Sequence, residues 1–303
     1  MSSPRSLLLA LLLTRVMALV MPILLLVALL LPAPAIASPV NAEKLLNDPR
    51  DHGFSGSADV SVALQEGNVR RLSLGAGAGI QYWTLHPEGV GFGKRPVPPG
   101  VPPFFKDRWV LIANGQFVRV SLDDVANSGF GHMRYTRMWL PRLGSDVFTQ
   151  AQYNAMTRLT RRLLAGLGLR VDPVHRRRLQ IWAGTGYMTE FERNDVVPED
   201  PHPARVINHR WTNYVVLQTQ LWDSAVVARS TTYAQPRFDD FGDIRVLESI
   251  VLEARATPVF ALGIEFEAQY DSRPPLVSGV LPLDLILTSY VRIGGPGSGK
   301  GKS

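Results

Sequence analysis

Several stretches of this chain carry residue types that can do chemistry, and their spacing decides whether they do. Residues 294–300 spell G-x-x-x-x-G-K, the opening of a phosphate-binding loop. The next residue is Gly301 rather than Ser or Thr, and no helix-forming run follows, so that reading fails. The alternating glycines Gly75, Gly77 and Gly79 lie inside a strand-like run and cannot open a helix onto a dinucleotide. His132, His175, His202 and His209 are scattered without metal-ligand spacing. Asp239, Asp240 and Asp243 form an acidic loop whose oxygens lack the EF-hand order, and it reads as a hydrogen-bonded turn. The chain has no cysteine, which excludes disulfides, thiolate metal sites and a cysteine nucleophile. No Ser-His-acid trio is singled out. The sequence therefore names no catalytic, cofactor or metal residue.

What remains is charge and glycine on one face of alternating runs. Arg71, Arg162, Arg170 and Glu190 share such faces, as do Glu265 and Glu267, with Glu248 and Glu253 as further candidates for inward or near-mouth positions. Gly75, Gly77 and Gly79 fall on the polar face of their run. Gly166 and Gly168, then Gly184 and Gly186, do the same. Glycine weakens a strand, so its repetition calls for a reason. In a narrow barrel the reason is room: small inward positions would leave space for paired charges filling the lumen.

The elements that carry these residues are strands. In residues 259–270, Phe260, Leu262, Ile264, Phe266 and Tyr270 alternate with Gly263, Glu265, Glu267 and Gln269. That period of two marks a strand with unlike environments on its faces. The same alternation recurs in about twelve segments between residues 54 and 293. Their expected lengths are roughly ten to thirteen residues, whereas soluble strands average about five or six and membrane-barrel strands need roughly 9–11. The fold class this predicts is all-β, an up-and-down antiparallel transmembrane β-barrel of about twelve strands. Aromatics near strand ends, namely Tyr82, Trp83, Trp139, Tyr153, Tyr187, Trp211, Tyr233, Tyr270 and Tyr290, are expected at the membrane interfaces. Two long proline-bearing loops are expected, at 85–106 and 193–208, and a polar loop leading up to Gly131. With twelve strands, the 85–106 loop falls on the side of the chain termini, where barrel turns are short.

Residues 1–37 have the pattern of a cleaved secretory signal. Arg5 and Arg15 precede an apolar core, and Ala35-Ile36-Ala37 supplies small residues at the cleavage positions. The expected plan is then a lead-in at 38–53, the barrel at 54–293 and a flexible basic tail at 294–303. The formal charge is +6, and two of the 32 basic residues lie in the leader. The modest excess left, with no basic stripe interleaved with aromatics, argues against nucleic acid as a partner. The partners expected are outer-membrane lipid and the barrel insertion machinery, and the location is the bacterial outer membrane.

The last third reads Tyr233-Ala-Gln-Pro236, Asp239-Asp240, Asp243, then Tyr270-Asp-Ser272 with Pro274-Pro275 and Asp284. Upstream stand Gly67-Asn68, the Gly166–Arg170 stretch and Gly184-Thr-Gly186-Tyr187 with Glu190. In this order the chain resembles the salt-induced outer-membrane protein family, whose function is unknown, over most of residues 54–293. The resemblance implies an outer-membrane barrel with no assigned catalytic residue, and a link to envelope or osmotic stress. One departure is that residues 294–303 follow the last strand, where barrel proteins usually end on an aromatic; Tyr290 is the nearest substitute. A structural or narrow-channel role is expected. The alternatives are a lipid-modifying hydrolase in the outer membrane and a soluble periplasmic ligand-binding β-barrel.

Glu265 and Glu267 separate these readings: in a soluble sheet they face water, and in a barrel they face the lumen and need partners. Replacing both by Ala is expected to lower the temperature at which the folded barrel loses its heat-modifiable gel mobility. No shift in that temperature would mean that both carboxylates face bulk solvent.

Overall fold

The computed structural model describes residues 53–65, 71–87, 90–92, 96–99, 101–120, 123–222, 225–257, 259–277 and 279–296. The expected signal (1–37), most of the lead-in, the glycine turn at 66–70 and residues 297–303 lie outside the described residues. So does the side chain of Arg71.

Twelve antiparallel strands form one closed barrel in which every strand pairs with its sequence neighbours and β12 returns to β1. They are β1 (Gly53–Gln65), β2 (Arg71–Leu85), β3 (Phe105–Val120), β4 (Asp123–Leu140), β5 (Leu143–Asn154) and β6 (Leu159–His175). There follow β7 (Leu179–Asn194), β8 (Arg205–Leu221), β9 (Val226–Pro236), β10 (Ile244–Arg255), β11 (Phe260–Asp271) and β12 (Leu283–Pro296). Each is 11 to 18 residues long, about twice the usual soluble strand.

Packing follows the alternation and is inverted relative to a soluble protein. On β10, Arg245, Leu247, Ser249, Val251 and Glu253 are buried, while Ile250 and Leu252 are exposed. On β6, Arg162 and Arg170 are buried between the exposed Leu163, Leu167 and Leu169. Large apolar groups thus stand outside and ionised ones inside. In water the exposed apolar belt would be costly, and in hydrocarbon it is the stable arrangement. Aromatic rings gather toward the two rims. Phe54 stacks near Tyr82 (4.9 Å between centroids) and Trp109 near Tyr135 (4.4 Å) at the near end, where β1 starts and β12 finishes. At the far end, Tyr187 approaches Phe238 (5.9 Å) and Trp211 approaches Phe241 (6.2 Å).

Three of the aromatics expected at the interfaces face inward instead. Trp83, Tyr233 and Tyr290 are buried in the lumen, since they share strand parity with Gln81, Gln235 and Arg292. Glu248 departs in the opposite sense. It shares parity with Ile250, so it faces outward, where Ser230 Oγ (2.7 Å) and Thr232 Oγ1 (2.5 Å) donate to its carboxylate. No loop leads to Gly131, because β4 already begins at Asp123 and pairs Ser128 with Gln116 on β3 and with Asn154 on β5. The 193–208 loop shrinks to 195–204, and β12 continues through Pro296, so residues 294–296 belong to the barrel.

The inward glycines make room for rings as well as charges. A Cβ on Gly184 would meet the ring of Tyr214, one on Gly166 the ring of Phe148, and one on Gly263 the ring of Tyr290. Each ring lies on the strand next to its glycine. Gly168 and Gly186 sit directly opposite each other, and a Cβ on Gly168 would come 2.6 Å from the Thr185 carbonyl oxygen. Gly184→Val is therefore expected to push Tyr214 out of place and cost about 1–3 kcal/mol of folding free energy. Denaturant titration in detergent measures it, and an unchanged midpoint would mean that the Tyr214 ring does not rest on Gly184.

Candidate functional site

The lumen is the site, and it is filled in three layers. The far layer is ionic. Arg245, on β10, lies among three carboxylates. Its Nη1 donates to Glu190 Oε1 (2.7 Å) and Oε2 (2.8 Å) and to Glu192 Oε1 (2.8 Å), and its Nε to Asp271 Oδ2 (2.8 Å). Glu190 and Glu192 belong to β7, so this one guanidinium spans the lumen from β7 to β10 and on to β11. Arg162 pairs with Glu192 and approaches Glu190 at 3.4 Å. Arg210 reaches Glu190 Oε1 (3.2 Å) on one side and Asp243 Oδ1 (2.9 Å) on the other. Asn208 Nδ2 adds a bond to Glu190 Oε1 at 3.0 Å. Arg162, Arg210, Glu190 and Glu192 are each 1% exposed. Buried charges persist only when paired and hydrogen-bonded, and here each carboxylate meets at least one guanidinium.

The middle layer is aromatic and apolar. Trp182, Tyr214, Val216, Tyr233 and Leu247 pack as one cluster. Tyr214 Oη donates to Asp146 Oδ2 (2.7 Å), which links β8 to β5, and Thr136 Oγ1 holds the other carboxylate oxygen at 2.5 Å. The Arg134 guanidinium stands over the rings of Phe148 (5.9 Å) and Tyr214 (5.6 Å).

The near layer is cationic, and residues 101–104, at the end of the loop between β2 and β3, lie against it. Arg108 donates twice to Gln81 Oε1 (3.1 and 2.7 Å), Arg229 donates to Gln218 Oε1 (2.9 Å), and Arg170 pairs with Asp172 (2.9 Å). The loop crosses from β2 to the end of β6. There Phe104 stacks on His175 (4.0 Å), whose Nε2 lies 2.7 Å from the Pro102 carbonyl oxygen. Arg170 is sandwiched between the rings of Phe105 (5.5 Å) and Trp182 (5.2 Å). The loop's proline content bars it from being a strand.

Space remains among the described residues at two places. One cavity of about 40 Å³ lies between the ionic and aromatic layers, beside Arg134, Glu190 and Tyr214. A second, of about 30 Å³, lies under the loop beside Pro102, Arg170 and Trp182. Each has room for a few waters.

Of the residues singled out by sequence, Arg162 and Glu190 meet in the ionic layer, and Gly166, Gly168, Gly184 and Gly186 line the wall beneath them. Arg170 belongs to the near layer, well away from that pair. Glu265 is buried on β11 and accepts from Ser249 Oγ at 2.9 Å; Glu267 is half-buried nearer the far mouth, bonded to Gln269. Glu253 is inward and pairs with Arg292. Sequence reasoning missed Arg210, Arg245, Glu192, Asp243 and Asp271. The available signal was parity: Arg245 shares the face of Leu247 and Ser249, and Glu192 that of Glu190.

A closed antiparallel sheet with an apolar exterior and a paired ionic interior defines a transmembrane β-barrel. No protein-family model matches this chain, and no curated protein matches it. Among solved structures it is similar to the NanC porin, at 12% identity and a TM-score of 0.40, over 79% of this chain and 97% of that one. It is similar to the KdgM porin at 7% identity and a TM-score of 0.37, over 80% and 96%. It is also similar to the β domain of the Bordetella autotransporter BrkA, at 8% identity and a TM-score of 0.37, over 80% and 98%. At such scores the assignment rests on the inverted packing and the closed sheet.

Arg245→Ala would leave Glu190, Glu192 and Asp271 short of a common partner. Breaking a buried pair in this way is expected to cost about 3–5 kcal/mol. Equilibrium unfolding in detergent reads the loss, and a cost below about 1 kcal/mol would show that the three carboxylates are solvated or protonated.

Proposed function

We propose that this chain is a bacterial outer-membrane barrel whose lumen is closed at rest, with a structural or narrow-channel role rather than that of a general diffusion pore. The even strand number, with both strand termini at one end, fits the bacterial arrangement in which that end faces the periplasm. The connections at 141–142, 176–178, 222–225 and 256–259 then lie in the periplasm and are short, and the long 86–104 connection lies at the same end. The leader-like residues 1–37 support export, and lipid and the barrel insertion machinery are the partners this reading requires. A link to salt or envelope stress rests on the family resemblance alone.

The observation that carries the closed-lumen reading is Arg245, which ties β7, β10 and β11 together across the interior. An aromatic layer lies beneath it, and Pro102 and Pro103 stand beyond that near Arg170 and Trp182, which supports a narrowed interior. Along β1 and the far part of β2, in contrast, inward residues are small, with Ser55, Ser57, Gly77 and Gly79 on this wall, while Gln81 and Trp83 stand at its near end. A passage for water or small ions would run there once the ionic layer loosens.

Planar-bilayer recording tests this. The wild-type barrel is expected to be electrically quiet, and Glu190→Ala with Glu192→Ala to give frequent open events. Steady open conductance from the wild-type protein would contradict a closed lumen.

A further inference from the structure

The far ends of β6, β7 and β8 carry an arrangement that the lumen does not explain. Arg161 on β6 lies opposite Arg193 on β7, and Arg193 lies opposite Arg205 on β8. All three are exposed on the outer face, because their strand neighbours Arg162, Glu192 and Asn194 turn inward. Like charges directly opposite across strands destabilise a sheet. Elsewhere on the same rim the charges are balanced. Arg237 pairs with Asp239 (2.5 Å) and Asp243 (3.0 Å), and Arg273 with Asp240 (2.5 Å). The Arg237 bonds hold the Asp239 pKa down to about 2. Arg193 and Arg205 have no ion-pair partner among the described residues, and Arg161 lies over the Phe191 ring at 5.5 Å. The nearby Asp195 is turned to Arg158 instead, at 3.6 Å.

Beneath the arginine row is an apolar one. Leu163, Phe191 and Ile207 lie side by side on the same outer face, and Ile207 is 64% exposed. Three cations above an uncovered apolar strip make an amphiphilic surface with an unmet need for anions. Its height narrows the ligand. The aromatic girdle on these strands is at Tyr187 and Trp211, beside Phe238 and Phe241. From Tyr187 to Arg193 is roughly 20 Å along the strand, or about 15 Å along the membrane normal at the usual tilt. Phospholipid headgroups extend only about 5–8 Å beyond the hydrocarbon. The arginine row stands two residues beyond the Leu163–Phe191–Ile207 strip and six beyond Tyr187, and a sugar-based headgroup reaches it whichever row marks the edge of the hydrocarbon.

We propose that Arg161, Arg193 and Arg205 bind the phosphorylated sugar headgroup of a glycolipid in the leaflet around the far end of the barrel. The guanidinium forks suit phosphate bidentately, and the apolar row seats the non-polar face of the same headgroup. This rests on the outer-membrane reading, which fails separately if the protein leaves membranes in carbonate without detergent.

The test is binding to the detergent-solubilised full chain, followed by native mass spectrometry. The probes are a lipopolysaccharide with phosphorylated core sugars, the same material after phosphatase treatment, phosphatidylglycerol, and inorganic phosphate. At roughly fivefold per basic residue near an anionic lipid, Arg161→Gln with Arg193→Gln and Arg205→Gln is expected to weaken retention of the phosphorylated glycolipid about 100-fold. Phosphatase treatment of the probe should weaken wild-type binding to a similar extent. Replacing Arg176, Arg177 and Arg178 by Gln removes the same charge at the opposite end and should change nothing. If the triple variant does not fold, as judged by heat-modifiable mobility, Arg193→Gln alone should still give a loss of about fivefold. Equal retention by the rim variants and wild type overturns the proposal. So does binding of phosphatidylglycerol or free phosphate as tight as that of the glycolipid, which would make the row a general anion site.

Discussion

A chain that crosses lipid as strands must leave no strand edge, and everything in this protein depends on the seam that removes it. β12 returns to β1 through pairs from Val60 with Val291 to Ser55 with Pro296. This seam is shorter than the β1–β2 ladder, and it uses the sequence Ile293-Gly294-Gly295-Pro296. At Gly294 the backbone has φ +136°, and a Cβ there would lie 2.6 Å from the Ser57 Cα. Only glycine both adopts that conformation readily and lets the two strands meet. With the seam closed, every strand has two neighbours and the backbone is satisfied without water.

Closure then fixes the interior. The described side chains that turn into this twelve-strand lumen are largely groups that bulk solvent would otherwise have to hold. Arg245 and its carboxylates occupy the far half, where each charge is already met by another. The Tyr214–Asp146 bond and the rings around it occupy the middle, and Pro102, Pro103 and Phe104 stand at the near mouth. The exterior is complementary: leucine, isoleucine and valine along the strands, aromatic rings at the rims, and a hydroxyl-solvated carboxylate, Glu248, in the apolar belt. The proposed role rests on the contrast between the side chains gathered along β6–β11 and the small residues Ser55, Ser57, Gly77 and Gly79 of β1 and β2.

How far the sequence discloses this depends on whether the two faces differ chemically. On β11 they do, and the strand and the inward Glu265 are legible from alternation alone. At the far ends of β7 and β8 both faces are charged, with Glu192 inside and Arg193 outside, so the alternation vanishes and the segment reads as loop. The first half of β4 misleads for a related reason: Asn127, Ser128 and Gly129 have little strand preference, and only the ladders to β3 and β5 hold them extended. The ionic layer was half legible. Arg162 and Glu190 stand out as charges on glycine-bearing faces, but their meeting with Arg245 depends on a register across three strand-to-strand steps, which no local spacing encodes. Tyr290 and Trp83 show the converse limit: an aromatic near a strand end signals an interface only when its parity points outward.

The central claim is the inverted barrel, and the absence of native cysteine makes one direct test practical. Single cysteines placed in turn at residues 247–252 of β10, spin-labelled in the folded protein in lipid vesicles, report collisions with oxygen dissolved in the bilayer. Labels at 248, 250 and 252 should show high oxygen accessibility, and labels at 247, 249 and 251 low, a period of two. Uniform accessibility along the strand, or high accessibility to a water-soluble nickel reagent at 250 and 252, would contradict the account.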